Sequence, residues 1–474
     1  MNAALNYFSS RLAGYSSNVY TVQASGKTSS LVANDQIVLS LPSSAIIDAR
    51  SLRIGFNLSI ASTVAARAPA NLEKLFARVE CLVGGQSVSA TNNSHGLLVA
   101  VKERVHGSEA GIASHPDIVR AVGDFSTVPI GATAAEPSVG TDAASGSAVY
   151  TTASVPYVVE LTNTFLSSCE PRFIDSSLLN QIQIRITLAS NSVLSVSTNN
   201  TVPSGGVYAA VKNPVEFDSI VAGQSATYQI DNLTASITAI SFSSSEYDTL
   251  LASQLSEAGF LSVPFRNFLT YRQTHTGSSK FQLSTRSLDK VYFAFLYGGA
   301  TEQGTTTRPT LKNSTVQNSP NVVPGYLVAD TLQASKFGAG REKYRGSWET
   351  FGLPSTQFQA QLSINNSFTP QGPVGPSQLG SITELATGVA LPASTTQLAR
   401  LTTDFVSCFS FALPGSSDYR VASGIDFRGQ NSACQLLTTG TFDIGTTPAW
   451  DSFIVCEMCS EMRISVGRSV SIIM

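Results

Sequence analysis

The feature that most restricts this chain is a two-residue rhythm of apolar and polar side chains that recurs along its length. Leu52, Ile54, Phe56, Leu58 and Ile60 alternate with Arg53, Gly55, Asn57 and Ser59, and Ile182, Ile184, Ile186 and Leu188 alternate with Gln183, Arg185 and Thr187. Leu233, Ala235 and Ile237 are interleaved with Thr234 and Ser236, and Phe358, Ala360, Leu362 and Ile364 with Gln359, Gln361 and Ser363. Successive side chains of a strand point to opposite faces, so these runs predict strands with one dry face and one wet face. No βαβ spacing accompanies them, which favours antiparallel sandwiches over a parallel sheet covered by helices.

The chain has 474 residues. Single hydrophobic cores stop growing at about 250–300 residues, so two domains are expected. Charged residues are 13% of the chain, about half the usual share, and Ser, Thr, Ala, Gly and Asn crowd the rest. Such a surface is polar but weakly charged, as suits faces that pack against neighbours, where a lone charge would be costly to bury. The net charge of −3 comes without a basic run, so no electrostatic footprint for nucleic acid is present and no sequence-specific nucleic-acid binding is expected. The N-terminus lacks the pattern of a signal peptide and no apolar stretch nears about 20 residues, so the reading is of a soluble, unexported chain.

Helical patterns are few. Ser243 to Gly259 is the clearest: Ser243 and Glu246 form a capping box, Tyr247, Leu250, Leu251, Leu255 and Ala258 share a face, and Gly259 supplies the stop. This helix stands near mid-chain, where a domain boundary should fall. A second helix is predicted from His95 to His106, with Leu97, Leu98, Val101 and Val105 on one side, and a weaker series, Leu5, Phe8, Leu12 and Tyr15, lies near the N-terminus. The halves echo each other. Arg50-Ser51-Leu52 opens one apolar strand, and Arg286-Ser287-Leu288, about half the chain later, opens another at Val291 to Leu296, which makes two related sandwiches the economical arrangement. Two long polar segments, Pro129 to Thr152 and Ala300 to Pro324, suit surface projections.

Little in the sequence speaks for catalysis. The four histidines, His95, His106, His115 and His275, have no metal-ligand spacing, and capping or surface roles are expected for His95 and His106. Cys456 and Cys459 form a CxxC, but no second CxxC or His pair accompanies it. With Cys81, Cys169, Cys408 and Cys434 they read as buried structural thiols of a reduced compartment. Gly338-Ala339-Gly340 lies beside Arg341, Lys343 and Arg345, without the strand and helix a phosphate loop requires. Sequons such as Asn92-Asn93-Ser94, Asn232-Leu233-Thr234 and Asn313-Ser314-Thr315 are expected by chance in so Asn- and Ser-rich a chain. No catalytic, cofactor-binding or metal residue is assigned, and the chain is expected not to be an enzyme.

In its layout the chain resembles the double jelly-roll major capsid proteins of the adenovirus, polinton-like and giant-virus lineage. The resemblance spans nearly the whole chain. It rests on a strand, Ser236 to Phe242, running into the helix of Glu246 to Ala258, followed by strands at Phe268 to Gln273 and Lys290 to Tyr297. It rests also on Cys169 to Asn180 with the strand Gln181 to Ile186, on the turn Ser423 to Ser432, and on the closing run Phe453 to Ser465. It implies an all-β fold of two consecutive eight-stranded antiparallel jelly-roll sandwiches, with a short connecting helix and long surface loops. The expected layout is an N-terminal segment, 1–20, for the inner face or a subunit contact, a first jelly roll at 21–243, a helix at 244–259 and a second jelly roll at 260–474. The resemblance further implies pseudo-hexameric homotrimers that tile an icosahedral shell around a genome, located in the virion and assembled inside the host cell. Partners on this view are the chain itself, neighbouring trimers, penton and minor capsid proteins, and an internal membrane. The acidic, arginine-rich patch of many giant-virus members is missing, with Glu246 and Asp248 the only acids before Glu257, which points to a smaller polinton-like or related DNA virus. The alternative is a carbohydrate-binding or adhesin-type β-sandwich, which a groove lined by exposed aromatics and a carboxylate pair would favour.

Overall fold

The computed structural model describes residues 15–62, 66–69, 71–105, 150–151, 154–197, 217–218, 226–242, 252–253, 255–297, 322–323, 326–327, 357–387, 405–412, 423–428, 432–440, 450–465 and 468–473. Sixteen strands carry the architecture. Eight belong to the first half: β1 (Tyr15–Gln23), β2 (Gln36–Ser40), β3 (Arg53–Ser62), β4 (Phe76–Val83), β5 (Gln86–Ala90), β6 (Val155–Glu160), β7 (Ile182–Leu188) and β8 (Ala226–Phe242). Eight belong to the second: β9 (Phe260–His275), β10 (Ser278–Leu283), β11 (Leu288–Tyr297), β12 (Gln359–Ile364), β13 (Ser367–Val374), β14 (Val406–Ser410), β15 (Ser432–Thr439) and β16 (Trp450–Ser465). All their pairings are antiparallel.

In the first half the sheets run β1-β8-β3-β6 and β2-β7-β4-β5; in the second they run β9-β16-β11-β14 and β10-β15-β12-β13. Each strand of the second half therefore stands where the strand eight earlier stands in the first. Short further strands extend one sheet of each half; two sheets whose four principal strands take this order, first beside last, make a jelly roll, and the chain is a double jelly roll. The Arg-Ser-Leu echo falls at one topological position, just before β3 and at the start of β11. Ser51 Oγ accepts from the Thr238 N–H on β8 at 2.8 Å, and the Ser287 carbonyl accepts from the Cys459 N–H on β16 at 3.1 Å. In both halves the tripeptide holds the long last strand.

The alternation sets the register. Leu52, Ile54, Phe56, Leu58 and Ile60 are buried, as are Ile182, Ile184, Ile186 and Leu188, and Phe358, Ala360, Leu362 and Ile364. On β8 the inward set changes parity, from Ala226, Tyr228 and Ile230 to Leu233, Ala235, Ile237 and Ala239. A bulge between Asp231 and Thr234, with Asn232 at φ 53, absorbs the extra residue and keeps every apolar side chain on the core face. The β4–β5 and β12–β13 hairpins close on Gly84-Gly85 (φ 59 and 82) and Asn365-Asn366 (φ 49 and 65). Two successive positive φ angles are what a two-residue turn matched to strand twist requires, and Gly and Asn tolerate them best.

Among the described residues each half has one helix between its fifth and sixth strands, α1 (His95–Val105) in the first and α3 (Pro376–Thr387) in the second, and a four-residue helix α2 (Phe165–Ser168) follows β6. The α1 prediction holds, with Leu97, Leu98, Val101 and Val105 buried. α3 carries no strong apolar stripe and is a finding of the structure. The mid-chain helix is helical at residues 252–253 and 255–258 and ends at Gly259, whose φ of +73 and N–H bond to the Leu255 carbonyl make the stop. Its capping box lies outside the described residues. Tyr15–Tyr20, within the predicted N-terminal segment, form the start of β1, while Leu5, Phe8 and Leu12 lie outside the described residues. The polar segments 129–152 and 300–324 also lie outside, apart from Tyr150–Thr151, which pair with Ser62 and Ala61, and Val322–Val323.

Candidate functional site: the seam between the halves

Among the described residues a buried cluster of charged and polar side chains lies where the halves meet. α1 is tied into the first jelly roll from below: His95 Nε2 lies 3.0 Å from Glu73 Oε1 with both side chains buried, Lys74 pairs with Glu103 at 2.7 Å, and Thr162 donates its N–H and hydroxyl to Glu73 at 2.9 and 2.7 Å. Sequence reasoning expected capping or a surface role for His95; its partner, 22 residues upstream, makes it a core residue instead. Thus anchored, α1 presents Lys102 to the outer face of the β9-β16-β11 sheet. Lys102 Nζ is 2.8 Å from Glu457 Oε2 and 3.1 Å from the Tyr292 hydroxyl, which itself donates to Glu457 at 2.7 Å. Arg266 pairs with the other carboxylate oxygen of Glu457. Lys102 also stands over the rings of Tyr292 and Phe268, 4.7 and 5.2 Å from their centroids.

Glu457 has no exposed side-chain surface. Burial alone would raise its pKa, but Lys102, Arg266 and Lys290 outweigh burial and hold it well below the ordinary carboxylate range, so it is an anion in the fold. Lys102 is lowered by burial and supported by Glu457. Around this cluster the halves are bound by backbone and rings. The Glu170 N–H donates to the Pro264 carbonyl at 2.8 Å, Ser168 Oγ meets the Arg266 N–H at 3.2 Å, and Phe165 and Phe265 meet edge to face at 5.0 Å. One continuous hydrophobic cluster runs through both halves. The seam thus joins the halves through buried backbone bonds, ring contacts and an ion pair whose members are hydrogen-bonded to one another.

Among the described residues, those that sequence reading weighed for chemistry are not brought together. All six cysteines are buried, and none is in a disulfide. Burial raises their thiol pKa values, to about 12 at Cys169 and Cys408 and about 11 at Cys434 and Cys459, the opposite of what a reactive or metal-binding thiolate needs. His275 lies under Phe295, its two ring nitrogens each 2.6 Å from a hydroxyl, of Ser279 and Thr438, and burial lowers its pKa to about 4. His106, His115 and the Gly338–Arg345 segment lie outside the described residues. Among the described residues no group of three His, Cys, Asp or Glu side chains is placed to hold a metal, and no helix is long and apolar enough to cross a membrane.

One cleft of about 420 Å³ lies beside the seam, lined from the first half by Phe173 and Asp175 and from the other side by Glu257, Phe260 and Leu261. It has two carboxylates and exposed aromatic surface at Phe173, as a sugar site would. Asp175, however, is spent on local structure: it accepts the Ser177 N–H at 2.9 Å and the Ser177 hydroxyl at 2.6 Å, capping the turn that follows.

No protein-family model matches the chain, and no curated protein sequence matches it. Solved structures do. The chain is similar to the capsid of PBCV-1 virus (13% identity, TM-score 0.54, 99% of each chain covered) and to the Faustovirus major capsid protein (11%, TM-score 0.54, 98% of this chain and 93% of that one). It is similar also to the major capsid protein of mavirus (8%, TM-score 0.50, 100% and 94%). At such identities the likeness is one of fold, and it extends over both jelly rolls and the seam between them.

Proposed function

We propose that this chain is a viral major capsid protein, a structural subunit and not an enzyme, whose trimers tile an icosahedral shell around a genome. The observation that carries the proposal is the strand-for-strand repetition of one jelly roll by the next across the seam. A subunit with two similar wedges presents six to its surroundings when three copies close a ring, and six similar wedges match a hexagonal lattice. The low charge of the chain suits many weak contacts that sum over a closed assembly. On this reading the units are the expected ones: 21–243 and 260–474 as jelly rolls, 244–259 as the connection, and the residues before β1 as a contact on the inner face or with a neighbour. Neighbouring trimers, penton and minor capsid proteins, and a membrane beneath the shell are the corresponding partners, and the virion is the location. The sugar-binding alternative has less support, because one of the two acids in its cleft is a turn cap.

Negative-stain imaging of the purified protein tests this reading. Particles with hexagonal outlines, or shells assembled from them, are expected. Elongated single molecules at every concentration would refute it.

A further inference from the structure

The turn on which α1 stands holds an amine, an amide and a carboxylate together in one buried place. A 3-10 helix, Leu72–Leu75, leads into β4, and Asn71 is its N-cap, accepting the Glu73 N–H on Oδ1 at 2.9 Å. Three residues make one turn of such a helix, so the side chains of Asn71 and Lys74 stand one above the other. α1 packs on this turn and brings Glu103 against both. Glu103 Oε1 accepts from Asn71 Nδ2 at 2.7 Å, and Lys74 Nζ lies 2.7 Å from Glu103 Oε2. One carboxylate therefore bridges the amine and the amide and seats their nitrogens side by side.

The surroundings are dry. The Lys74 side chain is 2% exposed, that of Glu103 14%, and Asn71 is 4% exposed. Leu72 and Leu75 on the turn are buried, as are Val99 and Ala100, which stand one turn before Glu103 on α1. Glu73, the other acid of the turn, is held by His95 and Thr162, which leaves Glu103 as the carboxylate that serves Lys74. Water, which would keep the lysine protonated and hydrolyse an activated amide, is largely excluded.

We propose that Lys74 and Asn71 join in an intramolecular isopeptide bond, with Glu103 as the proton carrier. Transfer of a proton from Lys74 Nζ to Glu103 along their hydrogen bond leaves a neutral amine and a neutral acid, and apolar surroundings penalise that pair less than they penalise two charges. The Nζ lone pair attacks Asn71 Cγ, the Nζ–Cγ bond forms and the Cγ–Nδ2 bond breaks. Of the two protons that Nζ gives up, Glu103 passes one to Nδ2, so that ammonia leaves. The ammonia carries off the second as ammonium, and Glu103 ends as the carboxylate it began. The step needs no oxidant and no cofactor. Its product ties the cap of the turn to the turn itself, beneath the helix that carries Lys102 to the seam, and it does not depend on the shell-subunit reading.

Mass spectrometry of the full purified chain tests the bond. The intact mass should be that of the sequence less one ammonia, and trypsin should release Ala68–Arg78 as one peptide, uncut after Lys74 and light by the same amount. Glu103→Gln and Lys74→Met, each verified as folded by circular dichroism, should keep the full masses of their own sequences. A cyclic imide formed by Asn71 on its own backbone also sheds ammonia, but it leaves Lys74 open to trypsin. A wild type of full mass, a light wild type that is cut after Lys74, or an equal loss of ammonia in Glu103→Gln overturns the proposal.

Discussion

The seam predicts an unequal response to removing its charges. Glu457 is shared by Lys102, Arg266 and the Tyr292 hydroxyl and has no exposed side-chain surface, while Lys102 and Arg266 retain 14% and 18%. Glu457→Gln preserves shape but removes the carboxylate that Lys102 and Arg266 share while both cations stay largely buried. Removing one partner of a buried pair costs about 3–5 kcal/mol, and this substitution belongs at that level. Lys102→Met keeps the length of the stem, and Glu457 still has Arg266 and Tyr292. The loss is one ion pair and the cation–ring contacts, about 1–3 kcal/mol in all. In the double variant the two costs should fall short of additive by at least about 1 kcal/mol, because the groups share one network. Urea unfolding at pH 7.5, followed by far-UV circular dichroism, measures all three. Acid gives a second handle. Glu457 titrates lower in the fold than in the unfolded chain, so its contribution is complete above the ordinary carboxylate range and fades as pH falls below about 4.5. A Glu457→Gln protein within about 1 kcal/mol of wild type, or less affected than Lys102→Met, would refute the picture of an anion clamped between the halves.

Other outcomes follow from the second half and the thiols. His275 is neutral in the fold with its pKa lowered to about 4 from 6.5, so the unfolded state takes up the proton first. Stability should fall as pH drops from 6.5 toward 4, by up to about 2 kcal/mol at pH 5, and His275→Gln should flatten urea midpoints between pH 7 and pH 5. A side chain on Gly424 would place its Cβ 2.1 Å from the Leu288 carbonyl oxygen; Gly424→Ala should cost about 3 kcal/mol or more, and an unchanged melting temperature would contradict the close approach. A thiol reagent at pH 8 should label none of the six buried cysteines in the native protein and all six after denaturation.

The sequence made the strands legible wherever one face is dry, because a pleated strand writes its environment at period two. It did so for β3, β7 and β12 along their whole inner faces. On β8 it revealed Leu233 to Ile237 but not the continuation through Tyr228 and Ile230, since the bulge at Asn232 shifts the parity. α1 was legible from four leucines and valines on one side. α3 was not, because Thr383 occupies an inward position and is satisfied there, donating to the Leu379 carbonyl at 2.7 Å and lying 3.0 Å from the Ser407 hydroxyl. A polar residue in a core position erases the apolar stripe that signals a helix. The Arg-Ser-Leu echo marked equivalent places in the two halves. The seam left no local trace, since Lys102 and Glu457 are 355 residues apart and each alone reads as an ordinary surface charge.

The central claim, that two repeated jelly rolls make this chain one third of a six-wedged ring, is tested most directly by the solution mass of the purified protein. One chain is 49.9 kDa, and light scattering at rising concentration should converge on three times that mass. A mass that stays at one chain up to the solubility limit, or settles at two, would contradict the account.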